Sequence, residues 1–225
     1  MVPAPFAYPF RGERGFDTLL AGGALHLLSV YVPVAPLVVV LGYLLVVLRE
    51  TAGRDADERF DALPPLGNIR EILRLGVGGT VVVAAFLLPA AVTLLVTVAG
   101  ATQFSLPAGE IPFTVSLGFA LGSTTSLLLA VAFVYLLPAA LANYLATGRL
   151  RAAIDLDVLR RAAAHGGYFY DVLVGVVVGS LLLIVARATT PFAVGFFVAF
   201  YAEVVTIAFW SRGVSRAIPD VVDAA

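Results

Sequence analysis

Apolar residues are gathered into long runs along this chain, and each run is long enough to cross a lipid bilayer. The segment from Leu19 to Leu48 has no Asp, Glu, Lys or Arg. A helix needs about 20 apolar residues to cross a hydrocarbon core roughly 30 Å thick. Stretches such as Leu181–Val185 are apolar on every side, whereas a transmembrane barrel alternates over segments of about ten residues. The pattern therefore predicts membrane-spanning helices.

Two prolines divide the first apolar run. As one straight helix, these residues would measure about 45 Å at about 1.5 Å per residue, which exceeds the hydrocarbon thickness. Pro33 and Pro36 each lack a backbone donor and restrict the residue before them. We therefore predict two short helices, at about 16–31 and 34–51. They either span fully or form a re-entrant hairpin.

The remaining apolar runs predict four more spans, at about 76–99, 113–146, 167–187 and 191–211. Asn68 is placed to cap a helix that we expect to run on into the first of these spans. Pro138 is expected to kink the second, and Pro191 suits the first position of the last. Between Asp155 and His165 acidic residues come first and basic residues last, which predicts a short helix at the membrane surface.

The predicted fold is all-α: a polytopic transmembrane helical bundle of about six helices arranged as three hairpins, with short interfacial helices. It forms a single integral membrane domain over residues 1–225. Arginine collects on the cytoplasmic side of membrane proteins. The N-terminus, the loops at 49–74 and 149–161 and the C-terminus hold every arginine except Arg187. We therefore predict that both termini lie in the cytoplasm, with the protein in the plasma membrane.

Composition and motifs exclude several classes of function. Hydrophobic residues make up 60% of the chain and the formal net charge is -1, so no basic surface points to nucleic acid. Cysteine is absent, which removes disulfides, thiol catalysis and cysteine metal sites. Metalloprotease, serine-hydrolase and phosphate-loop motifs are also lacking. We therefore assign no catalytic, cofactor-binding or metal residues and expect no enzyme activity.

Two ionisable residues form a candidate intramembrane polar site. Glu203 precedes Arg212 by nine residues, which corresponds to about 13 Å along a helix, and an ionisable group at that depth is a functional candidate by default. His26 lies about 18 Å along its helix from Arg14, so a pairing with Glu203 is geometrically possible. A structural hydrogen bond is the simpler interpretation of Glu203. A proton- or ion-coupled role, with His26 as a relay, is the alternative.

Small residues at four-residue spacing are candidates for close helix packing. They are Gly118 and Gly122, Gly175 and Gly179, and Gly195, which shares a stripe with Glu203. Packing within the chain is the first interpretation and homo-oligomerisation the alternative. Asp171 lies near the predicted cytoplasmic end of its span, where we expect water to solvate it as a cap or anchor.

Several short motifs follow one another along nearly the whole chain. They are Tyr8-Pro9-Phe10-Arg11-Gly12, Asp17 through Gly23, Gly42-Tyr43-Leu44, Leu137 through Tyr144, and Phe200-Tyr201 followed by Ser211-Arg212-Gly213. In these motifs the chain resembles a family of small haloarchaeal multi-pass membrane proteins, a domain of unknown function. The resemblance implies an archaeal membrane protein and carries over no catalytic or binding residue.

Scarce intramembrane charge favours a non-enzymatic membrane scaffold or partner-binding subunit. Its expected partners are the lipid bilayer and either a membrane protein or a second copy of the chain. The alternative is a small transporter or channel with a midplane site near Glu203, because transporters place such sites beside broken helices. A water-accessible cavity at Glu203 would favour transport, and a dry packed core would argue against it.

Overall fold

A computed structural model of the chain describes residues 4–102 and 113–223. Within these ranges the chain is helical and contains no strand, which confirms the predicted all-α fold. The α-helices are α1 (Ala4–Ala7), α2 (Gly15–Leu28), α3 (Ala35–Ala52), α4 (Ile69–Thr102), α5 (Phe113–Thr147), α6 (Leu156–Ala164), α7 (Gly166–Thr189), α8 (Val194–Ala217) and α9 (Pro219–Val222). Five of them, α3, α4, α5, α7 and α8, are long and apolar enough to cross a membrane.

The first hairpin consists of α2 and α3, with the turn where the prolines predict it. α2 ends at Leu28, three residues before the predicted boundary, and the hydroxyl of Ser29 donates to the carbonyl of His26 at 2.6 Å. With 14 residues, α2 measures about 21 Å and is shorter than a full crossing. Pro36 lies in the first turn of α3, where its missing donor costs nothing.

The helices α4 and α5 extend beyond their predicted spans. The side chain of Asn68 caps α4 by accepting from the backbone N–H of Arg70 at 3.1 Å. The helix then runs without interruption from Ile69 through the apolar segment, as predicted. Pro138 lies inside α5, which continues to Thr147. Of the residues between the two predicted spans, 100–112, only 100–102 are described, and they continue α4.

The hairpin of α7 and α8 departs from prediction at its turn. Pro191 does not begin the last helix; it lies in a short 3-10 helix, Thr190–Phe192. Ala193 then takes a left-handed conformation, with φ of 60°, which separates that turn from α8. Consequently α8 begins at Val194, three residues late, and continues to Ala217. The predicted short helix at 155–165 is present as α6, capped by the carboxylate of Asp155.

Contacts divide the chain into two compact units. Unit 1 comprises Met1–Val82 and Pro138–Ala225, and unit 2 comprises Val83–Leu137. In unit 1, α8 packs against α7, α2 and α3, and its residues Val204, Val205 and Ala208 are fully buried. In unit 2, the hydroxyl of Ser126 donates to the carbonyl of Ala90 at 2.8 Å. A single domain over 1–225 stays a prediction.

Candidate functional site

Two glycines of α2 bring His26 close to α8. A Cβ on Gly22 would overlap the ring of Phe200, and a Cβ on Gly23 would overlap the ring of Phe197. The absence of side chains at these positions lets α2 approach α8 closely, as small residues do in membrane helix pairs. His26 follows Gly22 by one helical turn and therefore faces the same surface of α8.

His26 and Glu203 are in direct contact. Nε2 of His26 lies 3.1 Å from Oε1 of Glu203, although 177 positions separate the two residues along the chain. Nδ1 of His26 lies 3.0 Å from the carbonyl oxygen of Gly22. The exposed fraction of the side chain is 11% for His26 and 31% for Glu203. The structure thus brings together the two ionisable residues that the sequence singled out.

The hydrogen bond to Gly22 determines how this pair can hold protons. A carbonyl oxygen only accepts, so Nδ1 carries the hydrogen and Nε2 faces the carboxyl group. Nε2 then accepts a proton shared by Glu203 or, in the imidazolium form, donates to the carboxylate. Both arrangements keep one hydrogen bond and differ in charge separation. The contact is therefore kept whether the shared proton is on Glu203 or on His26.

The second carboxyl oxygen of Glu203 is different. Oε2 is buried and has no hydrogen-bond partner among the described residues. A buried polar atom without a partner loses the free energy of solvation that water would provide. Within the candidate site, Oε2 of Glu203 is therefore the atom that receives no hydrogen bond from the described residues.

Four of the five candidate packing glycines have close neighbours. A Cβ would overlap Thr97 at Gly122, Thr206 at Gly179 and the carbonyl oxygen of Ala186 at Gly195; at Gly175 it would lie 3.0 Å from Phe209 and Trp210. Gly118 has no atom within 4 Å of the same position. Gly175, Gly179 and Gly195 thus line the contact between α7 and α8, while Gly122 packs within unit 2.

Asp171 is the polar residue that the sequence interpretation missed. Water does not solvate it, because its side chain is fully buried. Oδ1 accepts from Nε and NH2 of Arg212, and Oδ2 accepts from NH1 of Arg216 at 2.8 Å. A signal was present in the sequence, because Asp171 and Arg212 lie about 20 residues on either side of the turn at Thr190–Phe192. Antiparallel packing of α7 and α8 brings such positions together.

The helix ends that carry arginines in unit 1 are also connected. NH2 of Arg49 at the end of α3 lies 2.9 Å from Oε1 of Glu71 at the start of α4. The hydroxyl of Tyr8, before α2, lies 3.0 Å from that of Thr51 in α3. Burial raises the pKa of Tyr8 to about 12. No group of three or more His, Cys, Asp or Glu able to hold a metal ion occurs in residues 4–102 and 113–223.

Five long apolar helices and a part-buried polar pair between helices define a membrane protein of the multi-helix class. The chain belongs to the family described as protein of unknown function (DUF4013), whose family model matches residues 25–191. The match covers about three quarters of the chain and includes His26, while Glu203 and the arginines of α8 lie beyond it. Comparisons with curated proteins and with solved structures found no match.

Proposed function

We propose that this chain is a non-enzymatic integral protein of the plasma membrane that acts as a scaffold or as a subunit binding another membrane protein. The observation that carries the proposal is the closed contact of His26 with Glu203. A polar group that serves to bind a solute has to keep its hydrogen-bonding atoms available. Here both ring nitrogens of His26 are engaged inside the chain.

Other polar groups of the helices are engaged in the same way. The hydroxyls of Thr80, Thr97 and Thr125 each donate to a carbonyl one turn earlier in their own helix. Side chains that face outward are instead large and apolar, such as Leu95 at 68% exposed and Leu128 at 64%. Such a surface suits lipid or the apolar face of another membrane helix.

The orientation with both termini in the cytoplasm belongs to this proposal. The ion pairs between Arg49 and Glu71, and between Arg161 and Asp220, support it because they gather arginine-bearing segments. The positive-inside rule assigns such segments to the cytoplasm. Single cysteines at Ala4 and Thr189 test it in this cysteine-free chain. We expect an impermeant thiol reagent applied outside to label only Thr189→Cys, whereas labelling of Ala4→Cys would reverse the topology.

Photo-crosslinking in native membranes tests the partner-binding role. The chain has no lysine for amine reagents, so a benzoylphenylalanine replaces the exposed Leu95 or Leu128 in turn. Phe86, which is 4% exposed, provides the matched buried control. We expect adducts with a discrete protein, or with a second copy of the chain, from the exposed positions only. Lipid adducts alone at both exposed positions would contradict the proposal.

A small transporter or channel is the second candidate function, and one observation favours it. Glu203 keeps a buried oxygen without a partner among the described residues, and its side chain is 31% exposed. Proton flux into liposomes containing the purified protein tests this candidate. Flux that exceeds empty liposomes and disappears in both Glu203→Gln and His26→Ala would favour transport. Equal flux in all preparations would favour the scaffold.

A further inference from the structure

A polar cavity of about 170 Å³ lies at the arginine-bearing end of unit 1, away from His26 and Glu203. Its lining includes Arg54 and Arg59 from the loop after α3, and Ser215 and Asp223 from the C-terminal segment. Since one water molecule occupies roughly 30 Å³ of liquid, the cavity has room for a group the size of a phosphate. The end of α3 and the end of α8 both contribute to its lining, and the site requires no part of the proposed function.

Arg59 is the side chain in this cavity that lacks a good partner. Its Nε is buried and has no hydrogen-bond partner among the described residues. The contact of its NH2 with the carbonyl oxygen of Arg54 is long, at 3.4 Å. Arg54 differs, because its NH1 donates to Ala62 at 2.8 Å and its NH2 to Glu50 at 3.2 Å. A guanidinium group only donates hydrogen bonds. The N–H groups of Arg59 that lack a good partner therefore need an acceptor.

The charges around Arg59 strengthen this requirement. Burial, Arg216 and Arg212 lower the pKa of Arg59 from its ordinary value, and Asp171 opposes that shift. Asp171 already accepts hydrogen bonds from both Arg212 and Arg216. Asp171 is therefore already paired, and the three arginines near this one carboxylate carry more positive than negative charge.

Two carboxylates line the same cavity and act against an anion. Asp55 and Asp223 are both exposed, so water and salt screen their charges effectively. The buried Nε of Arg59 receives no such screening. These rim carboxylates therefore reduce the affinity for an anion without abolishing it.

We propose that this cavity binds a phosphate group, with Arg59 as its principal donor. The planar guanidinium matches two phosphate oxygens at once, which a point charge cannot do. The phosphate can come from the headgroup of an anionic lipid or from a soluble phosphate compound. Both sources present the same anionic oxygens to Arg59.

Direct binding measurements separate the two sources. Equilibrium dialysis with labelled inorganic phosphate on the full chain in a neutral detergent measures binding of the soluble ion. Native mass spectrometry after reconstitution into phosphatidylcholine vesicles containing phosphatidylglycerol measures headgroup retention. We expect retention of at least one of these probes. Absence of both would overturn the proposal.

Matched variants test the role of Arg59. Arg59→Gln is expected to weaken binding of the retained probe about tenfold, because the variant loses a charge-assisted hydrogen bond to the phosphate. Arg161→Gln removes the same charge from an exposed pair with Asp220 and is expected to change binding less than about twofold. Equal losses of binding in the two variants would show that only the net charge of the protein matters, which would contradict the proposal.

Two further variants keep the test decisive if Arg59→Gln fails to fold. Arg59→Lys retains the charge and loses the planar fork, so we expect binding between that of the parent chain and complete loss. Asp223→Asn removes a rim carboxylate and should raise the affinity for the same probe. No gain in Asp223→Asn would mean that the phosphate binds away from this cavity, and that result would count against the site.

Discussion

The α7–α8 hairpin and the α2–α3 hairpin are both part of unit 1, but they are held by different interactions. At the arginine-bearing end of α7–α8, the fully buried Asp171 accepts from two arginines. At the corresponding end of α2–α3, the neutral hydroxyls of Tyr8 and Thr51 are hydrogen-bonded. Further along, α2 contacts α8 through the polar pair of His26 and Glu203 and through the packing of Gly22 against Phe200. One hairpin is fixed at the arginine-bearing end by a buried carboxylate with two arginines, and the other by a hydrogen bond between two hydroxyls.

The glycine contacts that α7 and α2 make with α8 also differ. A Cβ on Gly195 would overlap a backbone carbonyl of α7, which has little freedom to move. A Cβ on Gly22 would overlap the buried ring of Phe200, which is a side chain and not backbone. We infer that the α7–α8 hairpin is the more rigid element and that α2 is the part of unit 1 best able to move.

Removing the charge of Asp171 is expected to have the largest effect. Asp171→Asn leaves Arg212 and Arg216 without their shared counter-ion, and loss of one partner of a buried ion pair costs about 3 kcal/mol or more. Unfolding by increasing sodium dodecyl sulfate in mixed micelles measures the change. Asp220→Asn is the control, because its pair with Arg161 is exposed and should contribute less than about 1 kcal/mol. Equal stabilities of the two variants would remove the contrast between the hairpins.

Adding one methyl group to each glycine contact is expected to have the next largest effect. Gly195→Ala should lower the free energy of unfolding by about 2 kcal/mol, since overpacking against backbone costs about 1–3 kcal/mol. Gly22→Ala should cost less, because its neighbour Phe200 is a side chain and not backbone. Gly118→Ala meets open space and should equal or exceed the parent chain in stability. A larger loss in Gly22→Ala than in Gly195→Ala would reverse the assignment of rigidity.

Alkaline pH should loosen the α2–α3 hairpin selectively. The folded-state pKa of Tyr8, about 12, lies above the ordinary tyrosine value of about 10. The stability that this shift contributes is complete below pH 10 and is lost as pH rises from about 10 to 12. At pH 11 the loss is about 1.4 kcal/mol. Between pH 9 and pH 11, the free energy of unfolding of the parent chain should fall by about 1.4 kcal/mol more than that of Tyr8→Phe. Equal decreases in the two proteins would contradict a stabilising role for the Tyr8 hydroxyl.

The smallest expected effect concerns His26 and Glu203. Hydrogen bonds between membrane helices contribute about 0.6 kcal/mol on average and up to about 1.7 kcal/mol. A double-mutant cycle with His26→Ala and Glu203→Gln should give a coupling free energy in that range. Thr80→Ala with Glu203→Gln serves as the matched cycle, because Thr80 bonds its own helix, and should give none. A coupling free energy of zero for His26 and Glu203 would mean that the contact contributes nothing to stability.

Local signals in the sequence predicted the helices well. Apolar runs located the long helices, Asn68 and Asp155 marked helix starts, and Pro36 marked the start of α3. The errors occurred where a tertiary contact overrides a local preference. Pro191 suits a helix start, yet the left-handed Ala193 delays α8 to Val194.

Long-range pairing was harder to predict. Counting residues from the flanking arginines gave His26 and Glu203 similar depths, which is why their contact could be foreseen. Asp171 was missed because its position near a helix end resembles that of a solvated cap. Nothing local indicates that two arginines from α8 cover it. Arg59 gave no signal either, because its unused donor emerges only once the surrounding segments are folded.

Chemical crosslinking between α2 and α8 in native membranes tests the central claim most directly. The parent chain has no cysteine, so His26→Cys combined with Glu203→Cys supplies a unique pair for a short bifunctional thiol reagent. A protease site in the loop at Arg149 then separates the two halves. We predict that the halves stay joined on a denaturing gel, and that they separate when Leu181→Cys, at an exposed position of α7, replaces Glu203→Cys. Equal yields from the two pairs would contradict the contact on which this account depends.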